Sequence, residues 1–241
     1  MKFRPALFWD TDPQSKNIMD TASQKVTWHY ETLPRQTKKA LDVLSQEKWL
    51  EKSIWYLAGG TALALQTGNR KSLDLDFFTE EKDFNIKALL AHFADNKNWH
   101  TSAEEKNTIF GELLKTKISF IAYPFFIPKQ EAARHGFVRV LHPIDIAVMK
   151  IIAISQRGRK RDFFDLYWCA NNLEPLERTI KRLKAQYPSV AHDYHHILKS
   201  MVYFDDAESD PEPEIYFDAS WKKVKKFFVK EVPVIAKKIM R

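Results

Sequence analysis

Cysteine is nearly missing from this 241-residue sequence, with Cys169 its single representative. No internal disulfide can form, and a reducing compartment is the natural setting. Cys169 itself stands in the apolar run 166–170, where a small packing residue is expected. Long apolar runs are missing too: none approaches the roughly 20 residues that span a bilayer, so no membrane segment is expected. The opening residues Met1 to Pro5 lack the apolar core of a signal peptide, and a cytoplasmic location is expected. No internal repeat is found. A last absence concerns chemistry: no Asp or Glu occurs between Leu113 and Gln130, and Glu112 is the nearest acid upstream.

What is present supports a folded chain. Apolar residues make up 44% and aromatics 13%, enough for one large or two small domains with a real core. Net charge is +7, and Asp218 to Arg241 concentrates it, with eight Lys/Arg against two acids. Such a balance suits a polyanion such as RNA, and equally an acidic protein partner.

The chain is organised around residues 54–78. An apolar strand-like run from Ile54 to Ala58 leads into the Gly59-Gly60 turn, and a short apolar helix is expected from Thr61 to Gln66. Gly68-Asn69 stops that helix, and a second strand-like run follows from Leu73 to Phe78. Side chains alternate along a strand, so Asp74 and Asp76 share one face while Leu73, Leu75 and Phe77 take the other. A glycine turn opening a helix exposes backbone N–H groups to phosphate oxygens, and paired carboxylates hold hard divalent cations that bridge the same phosphates. Strand-borne acids and Gly-Gly pairs each occur widely for other reasons. Together, in this order, they predict a site for a nucleoside triphosphate and magnesium.

Around that stretch the periodicity predicts amphipathic helices over Leu33–Gln46 and Asn85–Ala94. Two strands are predicted over Thr108–Leu114 and Lys117–Phe126, joined as a hairpin. A mixed sheet with helices packed on it is the expected architecture. From Pro143 the pattern is helical: 142–154, 162–171, 176–183 and 191–202 all read as helices. Asp205 to Glu214 carries six acids, two prolines and no basic residue, and reads as a solvated loop or linker. A last helix places Trp221, Val224, Phe228, Val232, Ile235 and Ile239 on one stripe, with a kink or break at Pro233 and Lys222, Lys225 and Lys226 outward. His192, His195 and His196 have metal-compatible helical spacing but no acid or thiol beside them, so surface histidines are the expectation. Met1 to Thr32 receives no function; Phe3, Leu7, Phe8 and Trp9 are candidates to pack on the body.

The stretch Leu57 to Leu65, followed by Arg70 to Phe78, resembles the signature of the nucleotidyltransferase superfamily: Gly-Gly, a spacer of about a dozen residues, then Asp-x-Asp. Its wording is closer still to the AbiEii/AbiGii-type toxins, the toxin half of abortive-infection toxin–antitoxin pairs. A second match lies at Asp145–Lys150 and Arg157–Tyr167, similar to that family's basic helix and its Arg-Asp-Phe-x-Asp-Leu segment. The resemblance implies an α+β fold, a nucleotidyltransferase-type mixed sheet with packed helices over 33–130, then a mostly helical domain over 131–241, after an N-terminal extension of 1–32.

The resemblance also implies roles. Asp74 and Asp76 would hold Mg²⁺; Gly59, Gly60 and Thr61 would cradle the triphosphate; Arg70, Lys71 and Ser72 lie in the loop before the Asp strand, where phosphate contacts are expected. Lys150 and Arg157, seven residues apart and so on one helix face, would line the cleft from the helical side. Arg161, Asp162 and Asp165 match the next segment. The superfamily places a third carboxylate on a later strand, and here Ser119 stands at that position. Either Asp162 or Asp165 supplies the missing acid from the helical part, or the metal site is incomplete. The function implied is transfer of a nucleoside monophosphate from an NTP to an acceptor hydroxyl, tRNA among the candidates, under the restraint of a separately encoded antitoxin. Transfer to a small molecule, as in antibiotic nucleotidyltransferases, and a silent nucleotide-binding or interaction module remain open alternatives.

Overall fold

The computed structural model describes residues 26–240, so the packing expected of Phe3, Leu7, Phe8 and Trp9 lies outside the described residues. After a 3-10 turn at Tyr30–Thr32 comes α1 (Arg35–Ser45), which buries Thr37, Ala40, Leu41 and Leu44 at helical spacing. The three-residue strand β1 (Tyr56–Ala58) is buried throughout and runs directly into α2 (Gly59–Thr67). Helix α2 is hydrophobic on all sides because it is enclosed, with Thr61 to Leu65 all buried. Gly68, at φ +67°, ends it in the left-handed region, its N–H returning to the Ala64 carbonyl at 2.8 Å. There follow β2 (Leu75–Thr79), α3 (Ile86–Ala91), β3 (Trp99–Glu105), β4 (Thr108–Leu113), β5 (Thr116–Ala122), β6 (Ala133–His135) and β7 (Val138–Val140). The remainder is helical: α4 (Pro143–Arg157), α5 (Lys160–Asn172), α6 (Leu176–Gln186), α7 (Tyr194–Ser200), α8 (Asp205–Glu208) and α9 (Trp221–Ile239).

The seven strands of the described residues form one mixed sheet in the order β3-β4-β5-β2-β1-β7-β6. At its centre β2 runs antiparallel to β1 and parallel to β5, pairing Asp76 with Ala58 on one side and Ser119 on the other. Leu75, Phe77, Ile118 and Phe120 fill one face and are buried; there Phe120 stacks on Phe77 and meets Trp49, Trp55 and Phe93 edge-on or tilted. The opposite face carries Asp76, Phe78, Ser119 and Ile121 toward a cleft walled by α4. Strands β4 and β5 form the expected hairpin, turned by Leu114 and Lys115 at φ +54° and +68°.

Three strands had no counterpart in the sequence pattern. Residues 99–105 lack apolar alternation because β3 is an edge strand, exposed over most of its length. Strands β6 and β7 are three residues each, too short to show a period. Through the pairing of Leu57 with Val140 they carry the sheet past residue 130, the boundary that the resemblance implied, and the helices begin at Pro143 as the pattern has it. Leu73, expected on the buried face, is exposed, because β2 begins two residues later.

The acidic stretch 205–214 is not a free linker. Asp210 takes an ion pair from Arg159 and the backbone N–H of Lys160, Glu208 pairs with Lys225, and Glu214 pairs with Lys71. Its end docks on the loop after α2: the Glu214 carbonyl accepts from the Lys71 N–H, Ile215 bridges Arg70, and the Tyr216 N–H reaches the Asn69 carbonyl. Helix α9 runs through Pro233 without a break, since Val232 and Ile235 on either side are both held in the core. Of its expected stripe, Trp221, Val224, Phe228, Val232 and Ile235 are buried, and Ile239 is half-buried.

Candidate active site

Asp74 and Asp76 do face one side of the sheet, and both line a cleft of about 290 Å³ between β2, β5, the start of α2, and α4. Gly59 and Gly60 form its rim at the α2 N-terminus, where Ala58 offers no side-chain cap to the first N–H groups of the helix. Gly59 has φ +70°, and a Cβ there would stand 3.2 Å from Asp76 Oδ2. Glycine therefore permits both the turn and the close approach of the carboxylate to the backbone. Lys150, Arg157 and Arg161 line the same cleft from the α4–α5 hairpin.

The two acids differ from an ordinary surface pair. Burial, and then repulsion from Asp76, push the Asp74 carboxyl above its ordinary range. The Ser119 hydroxyl donates to Asp76 Oδ1 at 2.6 Å, so the residue at the expected third-acid position is a hydrogen-bond donor aimed at the pair. Two partly buried, mutually repelling carboxylates are a donor set that a divalent cation relieves, and magnesium commonly takes one or two protein carboxylates with water and phosphate oxygens completing its shell. The residues fit magnesium on that basis. Among the described residues no group of three or more His, Cys, Asp or Glu side chains comes together that could hold a metal.

Behind the cleft lies a buried charge network. Asp165 Oδ1 accepts from Arg70 Nε at 2.7 Å and Asn69 Nδ2 at 2.9 Å, while Oδ2 accepts from Arg70 Nη2 and Lys150 Nζ, both at 2.8 Å. Lys150 Nζ also meets Asp162 Oδ1 at 2.6 Å, and Arg157 Nη2 stands 3.4 Å from Asp162 Oδ2. Burial alone would raise Asp165, but the Arg70 guanidinium and Lys150 ammonium overcome it and hold the carboxyl below its usual range. The same pairing raises Lys150 and Arg70 against the effect of their own burial.

This network corrects several expectations. Asp162 and Asp165 are fully buried and absent from the cleft wall, and both oxygens of Asp165 are already engaged. Neither lines the cleft that Asp74 and Asp76 share; they pair instead with Lys150 and Arg70. Arg70 reaches the cleft edge, but its guanidinium is spent on Asp165 and the Lys71 carbonyl and lies over Gly60, where a Cβ would come within 2.3 Å of Nη2. Thr61 is enclosed: its hydroxyl meets the Asp74 carbonyl and the Ser72 hydroxyl, fixing the start of the Asp strand without touching the cleft. Ser72 lines the cleft, whereas Lys71 points away to Glu214.

The sequence pattern missed the apolar side of the cleft. Phe78, Ile121 and Tyr123 from the sheet face Ile146, Met149 and Ala153 on α4, with Gln156 at the mouth. Strand alternation from Asp76 would have reached Phe78; nothing local to α4 distinguishes Met149 from core. A second cavity of about 390 Å³ adjoins the first and shares Asp74 and Asp76 with it.

Comparison with known proteins gives the family. The family model for "Nucleotidyl transferase AbiEii toxin, Type IV TA system" matches residues 42–117 and 109–238. An uncharacterized protein of Aquifex aeolicus (strain VF5) is 34% identical over 202 residues, covering 78% of this chain and 94% of that protein. The crystal structure of JHP933 from Helicobacter pylori superposes with a TM-score of 0.50 at 20% identity, over 86% of this chain and 95% of that one, a likeness of fold. MenT4, a nucleotidyltransferase toxin of Mycobacterium tuberculosis H37Rv, gives 0.49 at 16% identity over 84% and 89%. With a family match running through sheet, cleft and helical half alike, the chain belongs to the AbiEii nucleotidyl transferase toxins of type IV toxin–antitoxin systems.

Proposed function

We propose that this chain transfers a nucleoside monophosphate from a nucleoside triphosphate to an acceptor hydroxyl, using magnesium held by Asp74 and Asp76. The observation that carries the reading is the convergence of the two carboxylates, the Gly59-Gly60 helix start and the cations Lys150, Arg157 and Arg161 on one cleft. Asp74 and Asp76 would hold the magnesium, which would supply positive charge to offset that building on the α-phosphate and the departing pyrophosphate. The N–H groups at the α2 N-terminus and the exposed guanidiniums of Arg157 and Arg161 hold phosphate oxygens. Lys150, fixed by Asp162 and Asp165, presents a positive charge that does not have to reorganise as charge builds on the phosphates. The wall of Phe78, Tyr123 and Met149 suits the base and ribose.

The acceptor in this reading is RNA, with tRNA the first to test, because the exposed lysines 222, 226 and 230 of α9 offer an extended positive surface that a small substrate does not need. A type IV family implies an antitoxin, and we place a separately encoded one among the partners. The test is incubation with each α-labelled NTP, Mg²⁺ and total tRNA, comparing the wild type with Asp74→Ala. Label on RNA that the substitution abolishes is expected; no label with any NTP would reject transfer to RNA. The hydrogen bond from Ser119 to Asp76 favours a second reading, a nucleotide binder without transfer. Magnesium-dependent NTP binding with no pyrophosphate release is its signature.

A further inference from the structure

The two cavities are built differently around the same pair of acids. The first has the glycine turn, the cations Lys150, Arg157 and Arg161 and the apolar wall; the second is formed by the open face of β4 and β5, with Phe110, Glu112, Lys117 and Ser119 beside Asp74 and Asp76. Apart from Asp74 and Asp76, Glu112 is the one carboxylate that lines either cavity among the described residues. In-line displacement at phosphorus puts the attacking oxygen and the leaving pyrophosphate on opposite sides of the α-phosphorus. With the triphosphate lying along the first cavity, an attacking hydroxyl reaches phosphorus from the second.

Strand register places Glu112 on the correct face. Asp76 pairs with Ser119, and Ser119 with Phe110; Glu112 is two residues from Phe110 and pairs with Lys117. All of these side chains therefore project to one side. Glu112 lies two strands from the Asp pair, roughly 10 Å between backbones at the usual strand spacing, so it stands apart from a metal held by Asp74 and Asp76. The gap is wide enough for an acceptor hydroxyl. Lys117 on β5 and His100 on β3 flank Glu112 in register, yet Glu112 and Lys117 make no ion pair or side-chain hydrogen bond among the described residues. The other candidates are placed differently: Ser119 donates to Asp76, Asp162 and Asp165 are buried against Lys150, and His100 lines neither cavity.

We propose that the second cavity receives the acceptor hydroxyl and that Glu112 is its general base, an inference that rests on the transferase reading above. The acceptor O–H gives its proton to the Glu112 carboxylate, its oxygen bonds to the α-phosphorus, and the bond from that phosphorus to the β-phosphate oxygen breaks, releasing pyrophosphate. The missing third acid is thereby supplied from β4, one strand further out than Ser119.

The test uses the full chain with labelled NTP, Mg²⁺ and total tRNA, following label transfer and pyrophosphate release beside nucleotide affinity by equilibrium titration. Glu112→Gln is expected to lower turnover about 100-fold while nucleotide affinity changes less than about twofold. Glu112→Asp is expected to recover part of the rate. Turnover of Glu112→Gln within about threefold of wild type overturns the inference, as does an equal loss of nucleotide affinity. A wild type no more active than Asp74→Ala instead rejects the transferase reading, and this inference with it.

Discussion

Replacing Asp165 by Asn tests whether the buried network supports the cleft rather than taking part in its chemistry. The wild-type carboxylate accepts four hydrogen bonds, two from Arg70 and one each from Asn69 and Lys150. An amide of the same shape keeps one acceptor oxygen and turns an NH₂ group toward two cations, leaving Arg70 and Lys150 with Asp162 as their nearby counter-charge. Removing one partner from a buried pair costs roughly 3–5 kcal/mol, because the remaining charge stays desolvated. For a chain of this length that lowers the melting temperature by roughly 6–20 °C. The pH dependence has a definite sign. The folded carboxyl lies below its ordinary value of 3.8, so its contribution is fully present above that pH and is lost as pH falls through the folded value. The stability gap between wild type and variant is thus widest above about pH 4 and closes below it. Thermal melts across pH 2.5–8, read by circular dichroism, check this. A variant that melts with the wild type at pH 7 but has lost magnesium-dependent nucleotide binding would refute the reasoning and return Asp165 to the metal site.

Three further substitutions probe the cleft itself. Asp74→Asn should leave the metal-free protein as stable as wild type or more so at pH 7, because it removes a half-buried charge facing Asp76; the same variant should lose the rise in melting temperature that Mg²⁺ with NTP gives the wild type. Gly59→Ala should cost about 1–2 kcal/mol from the left-handed backbone alone, and should weaken nucleotide binding as the new Cβ crowds Asp76; unchanged titration curves would contradict the close approach seen at that residue. Ser119→Asp adds a third acid beside Asp76, so the metal-free melting temperature should fall and the Mg²⁺-induced rise should grow; a variant indifferent to Mg²⁺ would argue against cation binding at this pair.

Much of the site could be read from local pattern, for reasons of geometry. A period of two in Leu75, Asp76 and Phe77 is enough to separate acids from core, and Gly59 at a strand end announces a turn that other residues resist. The seven-residue spacing of Lys150 and Arg157 puts both on the cleft face of α4 for the same kind of reason. These are short-range regularities, and the backbone enforces them wherever the segment ends up.

What the tertiary structure alone decided was which charges are free and which are consumed. Arg70 and Lys71 are neighbours of equal appearance in the sequence, but the packing of α2 on α5 turns Arg70 onto Asp165, 95 residues away, while Lys71 meets the acidic segment at Glu214. Asp162 and Asp165 carry the same letters as metal ligands do, and became counter-ions because α5 faces inward beside Lys150. Glu112 comes to the acid pair through the pairing of β4 with β5 and β5 with β2. A carboxylate's role is set by the charges and solvent within a few ångströms of it, and those neighbours come from segments that meet only when the chain has folded.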